Sequence, residues 1–187
     1  IRLSLVGSEM CIRDRDKAKW MVDNIVTNSW NDQTDLGKPI KECIFELKQA
    51  YPKYAPYIVA YWYCYKDMDA GEIPGIYDVM KDLKDRGYQL YCLTNWSHET
   101  FPIVKEVHAR LFELFDGIVV SGEEKMVKPN PEIYNLLLGR YNLNASESVF
   151  IDDRQRNVDG ANQVGIQGIL FTGSNNLKEQ LAHLSIL

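Results

Sequence analysis

Positive charge is in short supply in this chain. Twenty-one Lys and Arg stand against 26 Asp and Glu, a formal net charge of −5. No basic surplus exists to neutralise a phosphate backbone, which excludes a general nucleic-acid binder. Cysteine is sparse and scattered: Cys11, Cys43, Cys64 and Cys92 form no CxxC pair. That speaks against a zinc site or a disulfide frame and suits reduced thiols in a cytoplasmic protein. No apolar run is long enough to span a bilayer, so no membrane partner is expected. The first residues also lack the apolar core and small-residue cleavage site of a signal peptide. Internal repeats and low-complexity tracts are absent. What remains is 187 residues with 45% hydrophobic and 25% charged content, enough for one sizeable core and a small accessory lobe.

The densest stretch of chemistry is Ser148-Val-Phe-Ile-Asp-Asp-Arg-Gln-Arg-Asn157. An apolar, partly β-branched run that meets two carboxylates reads as a buried parallel strand with Asp152 and Asp153 at its C-terminal tip, where open α/β sheets bind ligands. Two adjacent carboxylates at such a tip call for a cation, and Mg2+ suits them because it takes hard oxygen ligands from one or two carboxylates plus a phosphate. The plainer alternative is that Asp153 caps the following helix, a position Asp favours. These residues alone leave both readings open.

The first half of the chain, from Asp16 to about Asp69, has helical periodicity. An amphipathic segment runs from Trp20 to near Trp30. Pro39 opens a helix carrying Ile40, Cys43, Ile44 and Leu47, and an aromatic-rich helix follows Pro56. Beyond Gly71 the period changes. Pro74-Gly75 opens a helix through Ile76, Val79, Met80 and Leu83 that stops at Gly87, and a strand over residues 88–93 ends at Thr94-Asn95. A helix through Phe101, Val104, Val107 and Leu111 comes next, then a strand over 117–120, a helix after Pro131, the strand over 148–151 and a last βα unit. This alternation predicts right-handed βαβ crossovers and an α/β fold with a doubly wound parallel sheet, residues 73–187, preceded by a small helical lobe, residues 16–72. Crossovers of one hand gather the strand C-termini on one edge. Thr94 and Asn95, the ammonium of Lys128 and the Asp152-Asp153 pair therefore converge there, and together they describe a phosphate-plus-Mg2+ site.

Three segments carry a specific resemblance. Tyr91-Cys-Leu-Thr-Asn95, Lys128-Pro-Asn-Pro-Glu-Ile-Tyr134 and Val149-Phe-Ile-Asp-Asp153 resemble the second, third and fourth motifs of the haloacid dehalogenase (HAD) superfamily. Thr94-Asn-Trp-Ser97, Val127-Lys-Pro-Asn-Pro131 and Phe150-Ile-Asp-Asp-Arg154 are closest in wording to its branch of α-glucose-1-phosphate phosphatase-like enzymes and the phosphatase domain of soluble epoxide hydrolase. The resemblance covers about Asp16 to the C-terminus. It implies that Thr94 bonds a phosphate oxygen, that Asn95 shapes the same loop and that Lys128 bridges nucleophile and phosphate. It further implies Asp153 as a direct Mg2+ ligand, with Asp152 as a ligand or its support, and a helical cap that closes over a small phosphorylated metabolite, in one reading a sugar phosphate.

One part of that pattern is missing. The family's first motif is an apolar strand ending in Asp-x-Asp, whose first Asp attacks phosphorus while the second serves as acid and base. Its place is taken by residues 1–15. Within them, Ser4-Leu-Val-Gly-Ser-Glu-Met-Cys-Ile-Arg-Asp-Arg15 resembles translated sequencing-adapter read-through, a segment foreign to the fold. Asp14-Arg15-Asp16 has the letters of the pair but follows Arg13 instead of an apolar run. The expectation is thus a truncated HAD-type phosphatase whose central first strand is missing or replaced by residues 3–6 or 10–12, inactive and poorly stable as it stands. Competing readings are a metal-independent haloacid dehalogenase and a non-catalytic binder of phosphorylated ligands. A signalling receiver domain is disfavoured by order, since there the acid pair precedes the Thr and Lys.

Overall fold

A computed structural model of the protein describes residues 15–63, 69 and 71–187. Four helices come first: α1 (Arg15–Asn24), α2 (Asn28–Asp35), α3 (Ile40–Ala50) and, after a 3-10 turn at Pro52–Tyr54, α4 (Ala55–Tyr63). The single segment expected from Trp20 to Trp30 is therefore two helices. Thr27 adopts extended dihedrals of −73° and 164° at the N-cap of α2, which turns the chain. Met21, Ile25, Trp30, Cys43, Ile58 and Tyr61 make a shared core that continues into Phe101, Phe112 and Val120 of the second half. No helix among the described residues is long and apolar enough to cross a membrane.

The second half alternates as expected: α5 (Ile76–Asp85), β1 (Tyr91–Thr94), α6 (Phe101–Val107), α7 (Ala109–Phe112), β2 (Gly117–Val120), α8 (Ser121–Glu124), α9 (Pro131–Tyr141), β3 (Val149–Asp152), α10 (Gln155–Gln163), β4 (Gln167–Leu170) and α11 (Ser174–His183). Two local differences have plain causes. β1 starts three residues later than periodicity suggests because Gly87, at φ +88°, and Tyr88 close the end of α5 by bonding back to Lys84 and Leu83. The helix expected through Val107 and Leu111 breaks at His108. The break rotates Val107 outward to 43% exposure and buries the His108 ring, which pairs with the Asp69 carboxylate.

Strand pairing departs more from the expected single sheet. β1 pairs in parallel with β2 (Tyr91↔Gly117 through Thr94↔Val120), and β3 with β4 (Val149↔Gln167 through Asp152↔Leu170). Among the described residues these are two separate two-stranded sheets. Apolar side chains still alternate between two layers. Leu93, Val119 and Phe150 pack on Ile133, Tyr134 and Leu137 of α9, whereas Val149, Ile151 and Ile169 pack on Val79 and Leu83 of α5 and Leu177 and Leu181 of α11. Among the described residues, a space of about 730 Å³ lies between the two sheets, walled by residues 91–93 of β1 and 149–151 of β3 and touched by no residue of β2 or β4. This is the place of the expected central strand. Residues 3–6 and 10–12, the candidate replacements, lie outside the described residues.

The outer edges of both sheets are finished by side chains. Ile118 N–H donates to Tyr141 Oη at 2.9 Å, and that hydroxyl donates to Ile118 O at 3.1 Å. The ring needs the space that Gly117 leaves, because a Cβ there would come within 2.2 Å of Tyr141 Cζ. On β4 the Gly168 N–H donates to Asn162 Oδ1 at 2.8 Å. Tyr141→Phe leaves both Ile118 groups without this partner and is expected to cost about 1–3 kcal/mol, read as a lower denaturant midpoint at unchanged slope.

Candidate functional site

Parallel pairing sends Thr94 and Asp152 to the same edge, and Lys128 reaches between them from the loop before α9. Its Nζ donates to Asp152 Oδ2 at 2.7 Å and to the Leu93 carbonyl at 2.8 Å, so one ammonium ties β3 to β1 at their C-terminal ends. Both side chains are almost fully buried, 9% and 6% exposed. The Phe150 ring lies 5.4 Å from the ammonium. Asp152 Oδ1 accepts from the Arg154 N–H and from Asn157 Nδ2, each at 2.9 Å. The buried carboxylate thus has three donors, the condition under which a buried ion pair holds its geometry. Asn95 fixes the lysine's backbone: its Oδ1 accepts from Lys128 N–H at 2.8 Å and its Nδ2 donates to Lys128 O at 3.0 Å. The Lys128–Pro129 peptide is cis.

The neighbour of Asp152 behaves differently. Asp153 is exposed, because the strand period turns it away from the side where Asp152 is buried. It does not cap α10. The N-cap position is Arg154, with no side-chain cap, which removes the plainer reading of this carboxylate. No hydrogen bond reaches Asp153 from the described residues, so its oxygens are available to a cation. The donor chemistry suits Mg2+, a hard ion, but the number is short: among the described residues no group of three or more His, Cys, Asp or Glu is placed to hold a metal. Thr94 stands half-buried at the tip of β1. Asp14 lies outside the described residues, and Asp16 is described only as backbone in the first turn of α1.

Two site residues escaped sequence reasoning. Asn157 lies in the first turn of α10, where the pattern suggested an ordinary helix start, yet it is buried and orients Asp152; its own carbonyl accepts from Tyr134 Oη at 2.8 Å. Asp35, at the end of α2, is the other. Burial, then Asp32, push its carboxyl up to about 6, and the nearby charges of Arg154 and Lys128 oppose the shift. Asp35 thus lies within electrostatic reach of Arg154 and Lys128. The approach depends on Gly37, at φ +88°, where a Cβ would meet the Gly122 carbonyl at 2.7 Å. Because the folded-state pKa of Asp35 is raised, folding favours its protonated form. Its penalty is absent below about pH 3, grows as pH rises towards 6 and stays constant above. Asp35→Asn is therefore expected to stabilise the protein by roughly 2–3 kcal/mol at pH 8 and by about 0.5 kcal/mol or less at pH 4, measured by urea unfolding at both values.

A family model described as haloacid dehalogenase-like hydrolase matches residues 16–165. Among curated proteins, a sesquiterpene phosphatase of Aspergillus oryzae is 36% identical over 96 residues, 51% of this chain and 48% of the relative. Bifunctional epoxide hydrolase 2 of Mus musculus is 32% identical over 102 residues, 53% of this chain and 18% of the relative. The chain spans at most about half the length of these relatives. Among solved structures, a HAD family enzyme from Bacteroides thetaiotaomicron superposes with a TM-score of 0.74 at 19% identity, covering 97% of this chain and 92% of that one. The same enzyme has been crystallised with magnesium and inorganic phosphate. The match over residues 16–165 takes in the Thr94, Lys128 and Asp152-Asp153 strand-end cluster, and the chain belongs to the haloacid dehalogenase-like hydrolase family.

Proposed function

We propose that this chain carries the phosphate-handling part of a Mg2+-dependent phosphomonoesterase that acts on a small phosphorylated metabolite. The observation that carries the reading is Lys128, held by Asp152 and the Leu93 carbonyl at the shared strand edge. A fixed ammonium there offsets charge on a transferring phosphoryl group without reorganising during the reaction. Thr94 donates its hydroxyl to a phosphate oxygen, Asn95 holds the loop in place, and Asp152 serves as the anchor of Lys128. Asp153, with the phosphate itself, would hold Mg2+, which supplies charge neutralisation when bound. Residues 16–72 act as a cap over the 73–187 core, with Asp35 facing the site and excluding ligands that cannot tolerate a nearby carboxyl.

Hydrolysis through an aspartyl-phosphate needs a nucleophile at the end of a strand between β1 and β3, and the described residues supply none. With residues 1–15 read as foreign to the fold, the chain is expected to show no turnover of a generic aryl phosphate. Placing an apolar strand ending in Asp-x-Asp ahead of Asp16 is expected to create turnover that EDTA abolishes. EDTA-resistant cleavage of a 2-haloacid by that protein would favour the dehalogenase reading instead. Mg2+-dependent phosphate binding with no turnover would favour the non-catalytic one.

A further inference from the structure

We propose that Glu99 is a positioning residue: from inside the segment that begins at Thr94 its carboxylate caps helix α3 of the helical lobe, so that the seating of the lobe and the order of the Thr94-Asn95 loop are coupled. The need for an outside partner starts in the sequence. Pro39 occupies the N-cap of α3, and its ring offers no oxygen to the first free N–H groups of the helix. The preceding turn uses its own N–H groups to close α2, with Leu36, Gly37 and Lys38 bonded back to the carbonyls of Asp32, Thr34 and Gln33. Ile40 N–H, the first of α3, donates instead to Glu99 Oε1 at 2.7 Å, across 59 residues of chain. A carboxylate at that end also meets the positive pole of an 11-residue helix.

From Glu99 the chain leads back to Thr94 through a short loop tied to its neighbours. Glu99 N–H donates to Ser97 Oγ at 3.2 Å, and the Ser97 carbonyl accepts from Phe101 N–H at 3.0 Å, so Ser97 and Glu99 form one turn at the start of α6. Trp96 N–H donates to Ser121 Oγ at 2.9 Å, and Trp96 O accepts from Gly122 N–H at 3.1 Å. Gly122 is also the residue on which Gly37 of the lobe packs, so closely that a Cβ on Gly37 would meet its carbonyl at 2.7 Å. The α2–α3 turn therefore bears on the 94–99 loop at two points, through Gly122 and through Glu99. Loss of the Glu99 contact leaves one of them. Asp35 ends α2 two residues before Gly37, so its burial reports how firmly the turn is seated.

The coupling itself needs no ligand; only the phosphate arm of the test rests on the phosphatase reading. Amide exchange is followed in the full chain and in three variants. Glu99 is exposed, so changes there leave the fold intact. Glu99→Asp keeps the charge but is one methylene too short, and should speed exchange about tenfold over both 40–42 and 94–98. Glu99→Gln keeps an acceptor at the same reach and should stay within about threefold of the parent. Glu99→Asp combined with Pro39→Ser, which gives α3 an N-cap hydroxyl of its own, should return 40–42 to the parent rate and leave 94–98 fast. The Asp35 carboxyl, held up at about 6 chiefly by burial, should titrate closer to its ordinary value in Glu99→Asp. Inorganic phosphate with Mg2+ should bind Glu99→Asp about fivefold more weakly than the parent. Unchanged exchange over 94–98 in Glu99→Asp, or recovery of both segments on adding Pro39→Ser, overturns the proposal and makes Glu99 a helix cap alone. Equal phosphate affinity in parent and Glu99→Asp overturns the positioning role. A parent chain that binds no phosphate removes the phosphatase reading, while the exchange rates still decide the coupling.

Discussion

Lys128→Met is expected to lower stability by about 3–5 kcal/mol at neutral pH, the cost of stranding a buried charge. Asp152 is 9% exposed, so it cannot readily regain water when the ammonium is lost. The two remaining donors, the Arg154 N–H and Asn157, do not carry a compensating charge. The Leu93 carbonyl loses its lysine partner as well. The companion change Asp152→Leu in the same background should recover most of the loss, because replacing a buried pair with apolar groups is often neutral. Urea unfolding of the two single variants and the double variant measures the coupling, which should be about 2–3 kcal/mol or more. A Lys128→Met penalty under about 1 kcal/mol would mean that the pair is hydrated and that Lys128 is not held in place by Asp152.

The second large effect comes from filling the cavity covalently. Five apolar residues placed between β1 and β3 gain roughly 10 kcal/mol at about 1.5–3 each. Ordering them costs about 1–2 kcal/mol per residue, roughly 5–10 in all, which leaves a net gain of up to about 5 kcal/mol. In a chain of this length that corresponds to a melting temperature higher by about 10 °C. The transition should also sharpen, because β1–β2 and β3–β4, two separate sheets among the described residues, would then melt as one. A strand-bearing chain with unchanged midpoint and unchanged steepness would show that the 730 Å³ space is not a strand site.

The parts of this molecule that follow local rules were legible in its sequence. Period 3.6 located the buried faces of α3 and α5, Pro131 marked the start of α9, and the apolar run 149–151 placed Asp152 and Asp153 at a strand tip. The convergence of Thr94, Asn95, Lys128 and Asp152 followed from crossover handedness. What sequence did not reveal depends on long-range packing. Asp35 has no motif around it, and its position beside Lys128 and Arg154 is set by the close approach at Gly37 and Gly122, 85 residues apart. Asn157 reads as a polar residue on an exposed turn until Tyr134 and Asp152 surround it. The turn of phase at His108 likewise depends on Asp69, which lies outside that helix.

In the proposed site Asp153 is the carboxylate available to Mg2+ while Asp152 anchors Lys128. Its most direct test is phosphate release from an aryl phosphate by the chain bearing an apolar Asp-x-Asp strand, with and without Mg2+, for the parent and for Asp153→Asn. The expected result is turnover in the parent that EDTA removes and Mg2+ restores. In Asp153→Asn it should be reduced at least 100-fold, with a melting temperature within about 2 °C of the parent because an exposed side chain carries little stability. Full activity in Asp153→Asn, or activity that persists in EDTA, would contradict the account.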